Sequence, residues 1–437
     1  MASLVQQEST QDASNLPVPE GARMGALSLT MAWWAVCSAI FYIVVGASLA
    51  MSYGAKNAII GMVLSVISYG IINGIISRYA IKEGLSVALF SRRLFGSAGA
   101  SLATLIFFST AIYYAVFEGS VIAVAMNKMF PWLDYKWAAL IVVVYSVLLI
   151  FGSVQKWLDK FNGVLLPFYI IGLIAAVVVS ISEYGYQANW IDLGSANATS
   201  YGWWNCFTYY MGVWVLMLFT FDYARFGKPK DSTYHARYNF GMPFYLITFL
   251  VNGIVGIYLI ASIPQDAALS EVSVVLSIIK LLGIWGLLFV WVTQTRINTA
   301  NYYLATVNMQ AFFDNILRIK APKLVWSLVV GAVVYVLMLS NVSSYILQAL
   351  AYQGVFVVAW VGVALAHILF KSHNDMMAEN NHLNLVGLIA WLLSTVVGIL
   401  IMHSAIASFA APATFIVSIG FYSFAKQKGI TPTHSKA

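Results

Sequence analysis

The sequence predicts an all-α integral membrane protein with twelve transmembrane helices, on three observations. First, the chain of 437 residues is 61% hydrophobic and only 9% charged, whereas about a quarter of a soluble domain is charged. Second, it divides into twelve apolar stretches, each near the roughly 20 residues needed to cross a hydrocarbon core of about 30 Å. Third, Lys and Arg fall in every second gap: 18 of the 23 lie on one side, four lie on the other, and Arg296 sits inside a stretch. Positive charge gathers this way on the cytoplasmic side of multi-spanning proteins. The pattern places both termini in the cytoplasm and the chain in a cytoplasmic (inner) membrane.

The elements follow in order. A polar N-terminal tail (1–23) precedes a transporter domain (24–425), and a cytoplasmic tail (426–437) closes the chain. The tail has no apolar core of the secretory-signal kind. Spans are expected near 25–53, 58–77, 98–127, 137–154, 161–182 and 202–221 in the first half. The second half supplies 240–263, 278–309, 324–340, 345–370, 383–402 and 405–424. Trp132, Trp137, Trp190, Trp203 and Trp204 fall at span ends, where amphipathic rings sit in the interface. Gly70 and Gly74 mark a close helix approach in the second span.

Several function classes drop out. The net charge of +7 reports cytoplasmic loops beside anionic lipid headgroups, not a nucleic-acid partner. No phosphate-binding G-x-x-x-x-G-K-[ST] loop is present, so ATP is not the energy source. The six histidines, among them His373, His382 and His434, are scattered and lack the clustering a metal site needs. Cys37 and Cys206 lie in or beside apolar segments and pack as small apolar residues. An ion-driven secondary transporter, without cofactor beyond its coupling ion, is the economical reading.

The chemistry concentrates at mid-membrane. Glu118 is the one acid well inside a span and Arg296 the one cation there. Such groups are costly in hydrocarbon and face a cavity or a partner. They are candidates for substrate binding, ion coupling or a gating pair; the alternative is a structural ion pair. Tyr114 lies one helical turn from Glu118, and an aromatic face beside a carboxylate suits a flat, nitrogen-rich ring. Gly46-Ala47-Ser48 and Gly212-Val213-Trp214 are expected to interrupt the first and sixth spans, and breaks of this kind line midplane sites. Trp214 is the candidate second stacking wall. The run from Thr293 to Asn301 places six uncharged hydrogen-bonding side chains and Arg296 in nine residues, a cavity-lining composition because lipid-facing polar groups go unsatisfied. Asn298 is its candidate substrate contact. Gly46, Ser48, Thr293, Thr295 and Glu118 are the candidates for cation coupling, to H⁺ or Na⁺. Oxygen ligands favour sodium, and the charge of Arg296 disfavours it.

Three stretches resemble the nucleobase–cation symporter family of cytosine, purine, uracil, allantoin and hydantoin permeases. They are Leu16-Pro17-Val18-Pro19 with Arg23 and Gly25, Gly84-Leu85-Ser86 with Ser91-Arg92 and Phe95-Gly96, and Asp222-Tyr223-Ala224-Arg225-Phe226. The last is similar to the family's D-x-x-R-[FY] signature, and Asp222 and Arg225 are expected to pair at the inside gate. The resemblance implies a 5+5 inverted repeat of the leucine-transporter type plus two C-terminal helices. It also implies a heterocyclic substrate held between aromatics of spans 3 and 6. Where family members carry Trp and an amide one turn apart on span 3, this chain has Tyr114 and Glu118. An ionised carboxylate only accepts hydrogen bonds, which points to amino- or imino-bearing or cationic rings and to a proton as coupling ion. The expected function is cation-coupled import of a nucleobase or related heterocycle of the cytosine, purine, allantoin or hydroxymethylpyrimidine class. An amino-acid or polyamine transporter on the same fold, and an uncoupled channel or sensor, stay open beside it.

Overall fold

The computed structural model of the protein describes residues 17–151, 154–265, 268–340, 345–370 and 383–428, apart from the side chains of 154–164 and Asn315. Leu16, His373, His382, His434 and the side chains of Lys156, Lys160, Lys371 and Lys436, all used in the sequence argument, lie outside them. The described residues are helical, with one isolated backbone bridge, Met24 to Gly227, in place of any sheet.

The chain begins with α1 (Ala26–Trp34), a 3₁₀ turn (Ala35–Ser38) and α2 (Ile40–Tyr53), bent by 43° about Ala39. There follow α3 (Ala55–Glu83), α4 (Val87–Met129), α5 (Tyr135–Leu149) and α6 (Val154–Tyr184). The next span is split into α7 (Gly202–Met211) and α8 (Val215–Ala224) by a 3₁₀ turn at Gly212–Trp214. A helical segment α9 (Pro229–Ser262) contains π turns at His235–Asn239 and Leu246–Val251. The remainder is α10 (Ser273–Leu282), α11 (Ile284–Phe312), α12 (Lys323–Leu339), α13 (Ile346–Leu369), α14 (Leu385–Met402) and α15 (Ala410–Gln427).

Polarity is arranged for lipid rather than water. Ile171, Leu148 and Leu400 are each about two-thirds exposed, while Asn73, Asn252, Gln294 and Asn298 are fully buried. Apolar side chains face outward because the surrounding solvent is hydrocarbon, and amides face inward where partners exist. Among the described residues seven helices are long and apolar enough to cross a bilayer, and α1–α2 makes an eighth if counted as one bent span. The other expected spans fail that test for local reasons. α5 and α12 have 15 and 17 residues, α7–α8 is broken, and α11, though 29 residues long, carries the polar run at its centre.

Three details differ from the sequence reading. The first span is interrupted at Ala35–Ala39, not at Gly46-Ala47-Ser48, which lies within regular helix. Gly46 instead serves a close approach: a Cβ there would run into the Cα of Gly253 on α9. The eighth span starts at Ile284, because Gly283 separates it from α10. Finally, α4 is two helices merged across Gly96, whose φ of 76° and ψ of 174° belong to a region essentially restricted to glycine. Residues before Gly96 therefore form a separate approach to the third span.

Candidate functional site

A cavity of about 620 Å³ lies between α1, the break after it, α2, α4, α8 and α11. Its walls come from the first, third, sixth and eighth spans, and it holds Glu118 and Arg296 together. Glu118 is 1% exposed, and its Oε2 has no hydrogen-bond partner among the described residues. A buried carboxylate oxygen left without a donor is costly, and a bound N–H group relieves that cost.

One turn away Tyr114 also faces the cavity. Its hydroxyl accepts from Nε2 of Gln353 on α13 at 3.3 Å, and its ring meets Phe41 edge-to-face with centroids 4.9 Å apart. Phe41 in turn packs on Tyr42 and Phe117. Hydrogen bond and ring contacts fix the Tyr114 plane, so this wall is rigid before any ligand arrives. Phe41 and Tyr42 belong to the site through the break in the first span, which turns the start of α2 toward the cavity.

The polar run on α11 divides between two faces. Arg296, Ile297, Thr299, Ala300 and Asn301 line the cavity. Asn301 keeps its Nδ2 without a partner among the described residues. Asn298 faces away: its Nδ2 donates to Ser146 Oγ on α5 at 3.4 Å. Thr295 likewise exchanges a hydrogen bond with the Tyr145 hydroxyl at 3.0 Å. Thr293 donates to the Phe289 carbonyl at 2.6 Å. Ser48 is buried and its Oγ has no partner among the described residues, and neither it nor Gly46, Thr293 or Thr295 borders the cavity.

Trp214 is also kept from the cavity. It stands edge-on to Phe415 at 5.0 Å and to Tyr69 at 6.1 Å, and the Tyr69 hydroxyl donates to the Val213 carbonyl. The aromatic residues that the sixth span turns to the cavity are Phe219 and Tyr223. Nothing in the sequence separates these rings from Trp214 except helical phase, which the 3₁₀ turn shifts.

At the end of the cavity near Met24, Asp222 and Tyr223 complete the wall. Asp222 Oδ1 accepts from the Val87 N–H at 3.1 Å, and Arg225 Nε donates to the Asp222 backbone carbonyl at 3.3 Å. The Arg225 guanidinium lies 4.8 Å from the Phe226 ring centroid. Three stretches distant in sequence meet here. Val18 N–H donates to Gly84 O at 2.9 Å, and Met24 N–H donates to Phe226 O at 2.7 Å. Arg23 donates to the carbonyls of Ile81 and Gly227 at 2.5 and 2.8 Å. Parts of all three segments that carry the family resemblance are thus joined by hydrogen bonds beside the cavity.

Comparison with known proteins decides the kinship. The family described as permeases for cytosine and purines, uracil, thiamine and allantoin matches residues 17–425. The chain belongs to this family. Among solved structures the permease resembles Mhp1, a nucleobase-cation-symport-1 family transporter in a closed conformation with bromovinylhydantoin bound, at 15% identity and a TM-score of 0.72. That match covers 97% of each chain. The inward-facing conformation of Mhp1 matches at 13% identity and a TM-score of 0.73, covering 96% of the permease and 95% of Mhp1. A Na⁺-coupled sialic acid symporter in an outward-open state matches at 10% identity and a TM-score of 0.54, over 93% of the permease and 90% of that chain. These likenesses establish the expected leucine-transporter type of fold. No curated protein matches the sequence significantly. The permease is thus a transporter integral to a membrane.

Proposed function

We propose that the permease imports a planar nitrogen heterocycle whose amino or imino N–H groups are directed at Glu118. Import runs by alternating access from the inner membrane, with both termini in the cytoplasm. Glu118 is the observation that carries this reading: a buried carboxylate on the cavity wall, one oxygen without a partner among the described residues, a turn from the braced ring of Tyr114. The ring supplies a flat apolar face, and the carboxylate accepts N–H bonds from a ligand lying against it. Asn301 and Arg296 on α11 also line the cavity and carry donors for ring carbonyls. Glu118 also suits a coupling proton, since protonation converts an acceptor of substrate N–H into a neutral group and weakens the grip on release.

Competition for uptake tests this directly. Cytosine, adenine, uracil, allantoin and hydroxymethylpyrimidine are each set against the transported ring, alongside a panel of amino acids and polyamines. At least one heterocycle is expected to compete, with saturable, protonophore-sensitive uptake. Competition by amino acids or polyamines alone transfers the cavity to an ammonium substrate. Uptake that neither saturates nor responds to protonophore indicates a channel.

A further inference from the structure

The backbone at the break in the first span is already occupied. Interrupting a helix frees carbonyl and amide groups, and in transporters such freed carbonyls are the usual ligands for a coupling cation. Here the carbonyls of Ala35 to Ser38 each have a neutral partner. Ala35 O accepts from Ser38 Oγ at 2.7 Å, and Val36 O accepts from Ala39 N–H at 3.4 Å. Cys37 O accepts from Asn252 Nδ2 on α9 at 2.9 Å. Ser38 O accepts from Gln294 Nε2 on α11 at 3.4 Å, and Ile40 N–H donates to Gln294 Oε1 at 3.2 Å. The second Nε2 hydrogen of Gln294 goes to Thr293 Oγ1 at 2.8 Å, and Asn252 Oδ1 accepts from the Tyr169 hydroxyl at 3.0 Å.

We propose that the Gln294 carboxamide takes the place of a coupling cation at the broken first span, so that uptake by this permease does not depend on Na⁺. The amide N–H₂ presents partial positive charge to Ser38 O and Thr293 Oγ1, the oxygens a sodium ion would draw on. One planar group also holds both sides of the hinge, the carbonyl before Ala39 and the N–H after it. A cation entering here displaces a fully buried amide and leaves the Ile40 N–H, from which a cation cannot accept, without its acceptor, a cost no exposed site carries. Asn252 repeats the device from α9, so two carboxamides from separate spans staple one break. The inference rests on the transporter reading above, and Gln294 is a positioning residue in it.

The test uses the purified full chain in detergent and the same protein in proteoliposomes. The thermal unfolding midpoint is measured in NaCl and in choline chloride at equal ionic strength, and uptake is measured with the same exchange at fixed pH. The wild-type protein is expected to show no Na⁺-specific shift in midpoint and no loss of uptake in choline. A saturable rise in midpoint with Na⁺, or loss of uptake without it, overturns the proposal. Gln294→Glu keeps the acceptor for Ile40 N–H but exchanges the donor for a carboxylate beside Ser38 O and Thr293 Oγ1, and is expected to gain a Na⁺-dependent rise in midpoint. If this variant responds to Na⁺ no more than the wild type, the amide is not what excludes the cation. The midpoint needs no substrate, so a Na⁺ response sinks this inference alone. Failure of every heterocycle to compete sinks the substrate reading and leaves the Na⁺ result standing.

Discussion

At the scale of single residues, the cavity turns on how Glu118 differs from an amide of the same shape. Glu118→Gln keeps the volume but replaces one acceptor oxygen by a donor, so a ring that directs N–H groups at this position loses a charge-assisted bond. Such bonds contribute about 1.5–3 kcal/mol, or roughly ten- to a hundredfold in apparent affinity. Transport assays on Glu118→Gln are expected to show a loss in that range together with a flattened pH dependence; unchanged uptake and unchanged pH dependence remove Glu118 from binding and from coupling. Tyr114 separates ring from hydroxyl. Tyr114→Phe keeps the wall against Phe41 and gives up only the bond from Gln353, whereas Tyr114→Ala removes the aromatic face. Uptake is expected to persist in the first variant and to fall at least about fivefold in the second, because stacking on an aromatic face contributes about 1–3 kcal/mol per base.

At the scale of elements, glycine decides where spans bend and where they touch. Gly96→Ala places a Cβ at a φ of 76°, a strain on the order of 1–3 kcal/mol. A lowered unfolding midpoint is the expected result, and an unshifted one shows that the break relaxes freely. The same elements explain what the sequence disclosed. The polar run on α11 was legible because six uncharged hydrogen-bonding side chains and an arginine at mid-membrane have no lipid-facing solution. Which of them face the cavity was not legible, since Asn298 and Asn301 differ only in helical phase, and α5 draws one of them away. The sixth-span break at Gly212–Trp214 was marked by its glycine, yet the ring beside it turned to Phe415. The first-span break carries neither Gly nor Pro at Ala35–Ala39. It depends on Gln294 and Asn252, more than two hundred residues away in sequence, and local pattern cannot reveal it. Gly46 drew attention to the wrong turn because a packing glycine and a hinge glycine look alike in one sequence.

At the scale of the whole molecule, the charge asymmetry predicts which ends of the bundle face which compartment. Both cysteines are buried, so single cysteines introduced at Lys56 and at Lys426 in a chain lacking Cys37 and Cys206 report topology cleanly. A membrane-impermeant thiol reagent applied to intact cells is expected to label Lys56→Cys and spare Lys426→Cys. The reverse pattern inverts the assigned orientation. The fold was legible at this scale because hydrophobic length and the spacing of cations are properties of the whole chain, insensitive to errors of a few residues at any boundary.

The bonds from Arg23 and Met24 to the carbonyls of Gly227 and Phe226 bear on how such a machine can move. They pin the near end of α1, while the amide staple pins its far end at Ala39. A rod fastened at both ends does not swing open by itself. Either the latch beside Gly227 tears at each cycle, or α1 and the foot of α8 travel as a single lever, dragging Asp222 with them and changing the shape of the exit from its rim inward.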